Sequence, residues 1–250
     1  MAEAWEHSWV RLPLEGAHNV RELGGYPTAS GRSTRYHRFL RSDALAFLTE
    51  ADREFLYGYG VRAVLDLRGS AEALEQPDVE IAPDVAYANI TLFDFDIADQ
   101  EEFERAAEAG EYTAYDVYEE IISNTAAMGH ALRFIADAPE GCVLFHCAVG
   151  KDRTGLIAYL LMALAGCDRW DCLASYASSR VNLMRVPWFE DLWRSDMSGS
   201  RRGHLDSNTD ILEYAMEIVE REYGGIFQYV RSCGLSYEEI ERLRARMLDE

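Results

Sequence analysis

The sequence has no run of eighteen apolar residues, the length that a membrane-spanning helix needs. Its most apolar stretch, 156–166, is shorter than that and follows a charged loop, which predicts a buried helix. The first residues carry neither a basic region nor an apolar core, so they do not resemble a secretory signal. We therefore expect a cytoplasmic protein without stable membrane association.

Cysteine pairs and basic residues are also scarce. The five cysteines form an odd set without any Cys-x-x-Cys spacing, which fits neither a disulfide framework nor a zinc site, so we expect all of them to be reduced. Only 24 Lys and Arg residues stand against 44 Asp and Glu, for a net charge of -20. This balance disfavours nucleic acid and anionic membrane surfaces as partners. Any phosphate site must therefore be locally basic.

Internal repeats, low-complexity tracts and a convincing linker are absent as well, so one domain over residues 1–250 is expected. The first forty residues indicate loops and short extended pieces. Strands are predicted at 61–67, 85–92 and 142–146. Helices are predicted at 49–57, 101–109, 112–138, 168–178, 188–193, 206–223 and 236–248. This order predicts an α/β fold in which a central, mostly parallel sheet is flanked by helices, with a C-terminal helical layer.

One loop, between the predicted strand 142–146 and the apolar helix, carries a cysteine and an arginine that bracket five residues, Cys147 and Arg153. Such a loop can wrap its backbone N–H groups around one phosphate, and the N-terminus of the helix adds partial positive charge. Gly150 permits the tight curvature, and Arg153 offers a planar fork to two phosphate oxygens. The same groups favour the thiolate of Cys147, which is the nucleophilic form.

Residues 147–155 resemble the signature loop of the protein tyrosine phosphatases. The Gly-Lys-Asp-Arg-Thr-Gly version is similar to that of bacterial and fungal enzymes that overlap in activity with phosphoinositide phosphatases. Three further segments are similar to elements of that family: residues 19–26, 41–43 and 66–68. The C-terminal helices around 222–235 extend the resemblance over most of the chain. Glu22 stands where the family usually has Asp, which leaves the pairing of that element open.

The resemblance implies a protein-tyrosine-phosphatase-like fold and a phosphocysteine formed on Cys147, while Arg153 holds the phosphate oxygens. Thr154 would stabilise the departing thiolate, and Lys151 would add positive charge at the rim. The residues implied to surround the phosphate are Ala148, Val149, Gly150, Lys151, Asp152 and Arg153. The expected substrates are phosphotyrosine proteins, with phosphoserine, phosphothreonine or phosphoinositides as alternatives, and inorganic phosphate is the product. Neither a metal nor a cofactor is needed.

The general acid is left open among four carboxyl groups, because the leaving oxygen needs a donor within about 3 Å, directly or through one water. Asp152, in the loop itself, matches an Asp with an important role in the related enzymes and is placed first. Asp94 and Asp96 follow a predicted strand much as the mobile acid loop does in larger tyrosine phosphatases. Asp66 ends a strand, where open α/β sheets gather their sites.

Several other residues have a structural interpretation beside the functional one. His146 could suggest a metal but lacks further ligands at useful spacing, so we expect it to hydrogen-bond the loop and tune the thiolate. Asp43, Asp66 and Arg68 have two open interpretations, a role in the site or a structural one as anchors of the loop or caps of strand ends, and for Arg68 the structural one is preferred. Residues 185–205 combine aromatic and basic side chains and fit either a mobile lid over the site or an ordinary packed helix with a solvated loop.

Two alternative functions remain open at this point. A phosphatase fold could bind phosphorylated partners without turnover, although binding alone has no need of a thiolate. A sulfur-transferring enzyme can carry a similar thiolate loop, but such loops generally lack the Arg-Thr-Gly exit found at 153–155. A nucleotide-binding Walker loop does not fit, because Asp152 stands where Ser or Thr should follow Lys151.

Overall fold

Five strands form a single sheet in the computed structural model, which describes residues 4–93, 111–195 and 207–248. The strands are β1 (Arg21–Glu22), β2 (Phe39–Ser42), β3 (Val61–Asp66), β4 (Ala86–Asn89) and β5 (Cys142–His146). Their order across the sheet is β1-β2-β5-β3-β4, and every neighbouring pair is parallel except β1 with β2. The prediction of a mostly parallel α/β sheet is confirmed.

The central strand, β5, shows why a short apolar run forms a strand here. All of its residues are buried. Val143 and Phe145 belong to the larger of the two hydrophobic clusters that line the sheet, and Cys142 and Leu144 belong to the smaller one. Because successive strand residues point to opposite faces, a strand covered on both faces is apolar throughout. Pairing with β2 on one side and β3 on the other fixes the point at which the chain leaves the sheet, at Cys147.

Helices cover both faces of this sheet. They are α1 (Glu50–Tyr59), α2 (Ser70–Glu75), α3 (Ala114–Ser123), α4 (Thr125–Asp137), α5 (Asp152–Ala165), α6 (Arg169–Leu183), α7 (Pro187–Ser195), α8 (Thr209–Tyr223), α9 (Ile226–Ser232) and α10 (Tyr237–Met247). The N-terminal segment and α1 pack on one face, and α3 to α6 with α8 to α10 pack on the other. The second group includes the predicted C-terminal helical layer. Within the described ranges, no helix is both long and apolar enough to cross a bilayer.

Two helices, α3 and α4, replace the single helix predicted for 112–138, so that prediction was wrong. The break lies at Asn124, whose backbone is not helical. Its side chain accepts a hydrogen bond from the N–H of Ala127 and thereby begins α4. Such local bonding competes with helix continuation, and an apolar periodicity does not reveal it. The helix predicted at 101–109 lies outside the described residues.

The pairing of Glu22 is settled by β1, where it lies opposite Leu40 of β2. Its carboxylate accepts hydrogen bonds from the hydroxyl of Tyr59 at 2.6 Å, the N–H of His37 at 2.7 Å and the N–H of Gly24 at 3.2 Å. Burial raises the pKa of Glu22 to about 7 in spite of these donors. The longer side chain therefore ties the N-terminal element to α1.

Candidate active site

The loop that carries the predicted chemistry runs from the end of β5 to the start of α5. Cys147 directly follows the central strand and is 2% exposed. Asp152 is the first residue of α5, so the loop ends at a helix N-terminus, where unpaired N–H groups and the helix dipole favour an anion. The predicted order of strand, loop and helix is confirmed.

Asn19 holds one side of the loop. Its side-chain amide donates to the carbonyl oxygens of Val149 at 2.8 Å and Gly150 at 3.1 Å. Asn19 is itself fixed, because its backbone N–H donates to the carboxylate of Asp43 at 2.9 Å and Arg21 donates to its side-chain oxygen at 2.5 Å. Asp43 therefore anchors Asn19, which agrees with the structural one of the two interpretations left open for it.

Arg41 also binds the outside of the loop, from a fully buried position. Its Nη2 donates to the carbonyl oxygens of Gly150 at 3.0 Å and Lys151 at 3.2 Å, and the N–H of Ala44 donates to the carbonyl of Ala148 at 3.0 Å. Four successive loop carbonyls are thus bound from outside. Because a trans peptide directs its C=O and N–H to opposite sides, the four following N–H groups point to the inside of the loop. Inward N–H groups of this kind form an anion-binding nest.

Gly150 is required for this curvature. Its φ is +69°, in the left-handed region that favours glycine. A Cβ on this residue would lie 2.2 Å from the carbonyl oxygen of Ser42, the backbone of β2. The loop therefore approaches β2 more closely than any side chain allows.

The guanidinium of Arg153 is held in a fork by Glu72 of α2. The two pairs of atoms, Nη1 with Oε2 and Nη2 with Oε1, lie 2.5 and 2.9 Å apart. Burial opposes the charge on Arg153, but the bonds to Glu72 and the nearby Cys147 outweigh it and raise the pKa of the guanidinium. Glu72 accepts from two of the five N–H donors, and Nη1 also lies 3.4 Å from the carbonyl oxygen of Phe93, so these contacts fix the orientation of the guanidinium. Sequence reasoning missed Glu72, since α2 was not predicted.

Asp152 is bound through one of its two carboxylate oxygens. Its Oδ1 lies 2.7 Å from the hydroxyl of Tyr118 and 3.2 Å from that of Tyr176. The ammonium of Lys151 lies 3.5 Å from the same oxygen. Lys151 is 2% exposed, so the prediction that it adds charge at the rim was wrong: its side chain is buried against Asp152. Tyr118 and Tyr176 were not predicted as site residues.

A buried charge cluster lies beneath the loop. Asp66 accepts hydrogen bonds from Nε and Nη2 of Arg68 at 2.9 and 2.8 Å, and Arg68 also lies 3.0 Å from Asp78. Nε2 of His146 lies 2.9 Å from a carboxylate oxygen of Asp78, and its Nδ1 lies 3.2 Å from the carbonyl oxygen of Cys147. The cluster therefore connects the sheet to the first residue of the loop.

The charges in this cluster argue against two roles for its members, those of a proton donor and of a metal site. Burial alone would raise the pKa of Asp66, but the bonds from Arg68 and the proximity of His146 lower it, so Asp66 is an anion that anchors Arg68. Asp66, Asp78 and His146 lie close enough to share a metal ion, although sequence spacing had indicated no such set. Arg68 already brings a positive charge to within 3.0 Å of both carboxylates, which makes a divalent cation unfavourable there.

Three predicted site residues remain, and the structure describes one of them. Thr154 is fully buried in the first turn of α5, and its hydroxyl has no hydrogen-bond partner within the described residues. Asp94 and Asp96, the alternative general acids, lie outside the described residues. The described residues that can offer an acid to the loop are therefore led by Asp152, whose side chain is 31% exposed.

The segment predicted as either a lid or a packed helix, 185–205, is described as far as residue 195. There it forms α7, and Val186 and Phe189 are buried in a small cluster that contacts Val149 of the loop. A cleft of about 730 Å³ runs beside the loop and is lined by Ala148 and Val149 of the loop, by Pro187 of α7 and by the exposed ring of Phe47. The start of α7 is thus a wall of the cleft next to the site.

The loop brings a buried thiol, inward N–H groups and a positioned guanidinium to one place. A phosphate bound there is open to attack by sulfur, with its charge stabilised by the amides and by Arg153. The class of protein that fold and loop define together is the cysteine-dependent phosphatase.

Comparison with known proteins gives the same class. Residues 12–249 match the model of the tyrosine phosphatase family. The chain is 30% identical to a tyrosine-protein phosphatase of Nostoc commune, over 84% of this chain and 74% of that protein. It is 26% identical to the triple specificity protein phosphatase PtpB of Mycobacterium tuberculosis, over 94% of this chain and 98% of that protein. The chain therefore belongs to the tyrosine phosphatase family and is a phosphoric monoester hydrolase, as its sequence predicted.

Proposed function

We propose that the chain hydrolyses phosphotyrosine in proteins through a phosphocysteine formed on Cys147. The observation that carries this proposal is the outward binding of the loop carbonyls at 148–151, because it leaves four N–H groups to face a phosphate. A cytoplasmic location is part of the proposal and is supported by the five cysteines, none of which forms a disulfide.

In the first step, the thiolate sulfur of Cys147 attacks phosphorus, and the bond from phosphorus to the ester oxygen breaks. Arg153 and the loop N–H groups bind the other phosphate oxygens, on which negative charge is concentrated in the transition state. Asp152 gives its proton to the departing ester oxygen. Its Oδ1 is occupied by two tyrosines, so Oδ2 is the oxygen that delivers this proton.

In the second step, water attacks phosphorus and the S–P bond breaks, which releases inorganic phosphate and restores the thiolate. Asp152, now deprotonated, accepts a proton from the attacking water. The buried hydroxyl of Thr154 is available to donate to the departing sulfur. His146 contacts the carbonyl oxygen of Cys147 through Nδ1, and this contact helps to hold the sulfur close to the N-terminus of α5.

The cleft beside the loop supports a protein substrate. Its volume of about 730 Å³ suits the body of a phosphorylated residue and its neighbours. The exposed ring of Phe47 offers an apolar face to an aromatic ester such as phosphotyrosine. We include phosphoserine, phosphothreonine and phosphoinositides as secondary substrates, since the relative PtpB is named a triple specificity protein phosphatase.

Turnover of p-nitrophenyl phosphate, followed by comparison of a phosphotyrosine peptide with phosphatidylinositol monophosphates, tests this proposal. Cys147→Ser should abolish all turnover, because a hydroxyl in the same place is not ionised. Cys172→Ser is the matched control: that thiol is also buried, and burial raises its pKa to about 12, so it is unreactive. A wild-type protein that binds phosphate but turns over none of these esters would make it a phosphate-binding module instead.

A further inference from the structure

Two buried tyrosines from different helices converge on the carboxylate of Asp152. Tyr118 lies on α3 and is 1% exposed, and Tyr176 lies on α6 and is fully buried. Their hydroxyl oxygens lie 2.9 Å from each other and 2.7 and 3.2 Å from Oδ1 of Asp152. Three oxygens from three helices therefore meet at the first residue of α5, where the phosphate loop ends.

The protons in this group can be assigned from its surroundings. Burial, followed by the charge of Asp152, raises the pKa of Tyr118 and of Tyr176 well above the ordinary value, so both phenols keep their protons. A buried phenol needs a hydrogen-bond partner, and a carboxylate oxygen has two lone pairs to offer. Oδ1 of Asp152 can thus accept from both tyrosines, which fixes the rotation of the carboxyl group.

We propose that Tyr118 and Tyr176 are positioning residues that turn the second oxygen of Asp152, Oδ2, towards the leaving group of the substrate. The inference rests on the proposed role of Asp152 as proton donor. Every contact of the carboxylate that the described residues provide falls on Oδ1, so rotation about the last side-chain bond would break two hydrogen bonds at once. The position of the proton is therefore set by α3 and α6 as well as by the loop.

The proposed role has a kinetic signature that a purely structural role lacks. A proton donor matters most for a leaving group that is a poor anion and little for one that leaves readily as an anion. Phenyl phosphate is a substrate of the first kind and p-nitrophenyl phosphate one of the second. A misaligned Asp152 should therefore slow the first substrate selectively, whereas general damage to the fold should slow both alike.

The experiment compares kcat/KM for these two substrates in the full chain, because this constant reports the first step, in which Asp152 acts as acid, and leaves out the hydrolysis step that both substrates share. Tyr118→Phe keeps the ring and removes the shorter of the two bonds, and we expect kcat/KM to fall about tenfold with phenyl phosphate and less than about twofold with p-nitrophenyl phosphate. Tyr118→Phe combined with Tyr176→Phe should approach the selectivity of Asp152→Asn. Added to Asp152→Asn, Tyr118→Phe should have little further effect, because it acts through that residue.

Tyr229→Phe is the matched control. Tyr229 is also fully buried, and its hydroxyl donates to the carbonyl of Ile122 at 2.9 Å, so the same atom and one hydrogen bond are lost without any contact to Asp152. Equal slowing of both substrates in Tyr118→Phe, or a pattern equal to that of Tyr229→Phe, would overturn the inference. If Asp152→Asn itself shows no selectivity, the acid assignment fails and the inference with it, while activity that depends on Cys147 still stands.

Discussion

Glu72→Gln should lower kcat/KM by about 10- to 100-fold. The carboxylate of Glu72 makes both bonds of the fork that holds Arg153, at 2.5 and 2.9 Å. Glutamine keeps one acceptor oxygen and replaces the other by a donor, so one of the two charge-assisted bonds is lost. A hydrogen bond to a charged group contributes about 1.5–3 kcal/mol, and about 1.4 kcal/mol corresponds to a factor of ten in rate. The loss reaches the rate because an unheld guanidinium must be reordered around the transferring phosphate.

The measurement is kcat/KM for p-nitrophenyl phosphate together with the inhibition constant of inorganic phosphate. In Glu72→Gln, kcat/KM should fall and the inhibition constant of phosphate should rise, since Arg153 binds the phosphate group in substrate and product alike. Glu75→Gln, an exposed change on the same helix, should leave both values within about twofold of wild type. A rise in kcat/KM or in phosphate affinity would refute the reasoning, because it would mean that Glu72 competes with phosphate for Arg153.

Two further predictions concern the scaffold of the loop. Burial raises the pKa of Glu22 from 4.5 to about 7, so stability present at low pH should be lost as the pH rises through this window. The expected loss of folding free energy is about 3 kcal/mol. Between pH 4.5 and about 8, the denaturation midpoint should therefore depend less on pH in Glu22→Gln than in the wild type. The same pH dependence in both proteins would contradict this prediction. Gly150→Ala should lower kcat/KM far more than Gly31→Ala, which has a similar φ of +78° but no atom within 4 Å of the added Cβ. An equal fall in both would assign the effect to backbone strain alone.

The central part of the site could be predicted from the sequence because its signals are local. The run 142–146 is too short for a helix and apolar throughout, and Cys147 and Arg153 bracket the turn into an apolar helix. These features fix a strand, a loop and a helix in consecutive order, and the structure has them there. The second layer of the site is not local. Asn19 lies 130 residues before the carbonyl that it binds at Val149.

Contacts of this kind leave no periodic or spacing signal. Glu72 is 81 residues from Arg153, and it lies on a helix of six residues with no buried side chain, which gives no amphipathic pattern. Tyr118 is 34 residues from Asp152 and looks like any apolar residue on the inner face of α3. Its hydroxyl acquires a role only when α3, α5 and α6 are packed together. Side chains that act through a neighbouring residue are therefore the ones that could not be predicted from the sequence.

The distribution of charge explains how a chain of net charge -20 can hold an anion. Arg41 is fully buried behind the loop; burial lowers its pKa to about 10, so it stays charged at neutral pH, and Arg153 brings a second guanidinium to the front. Exposed carboxylates are screened beyond roughly 8 Å at physiological ionic strength, whereas buried cations are screened much less. A single phosphate inside the loop therefore experiences mainly the local positive groups. A membrane surface rich in anionic lipids meets the whole acidic exterior instead, which supports our proposal of a phosphorylated protein, and not a phosphoinositide in a bilayer, as the main substrate.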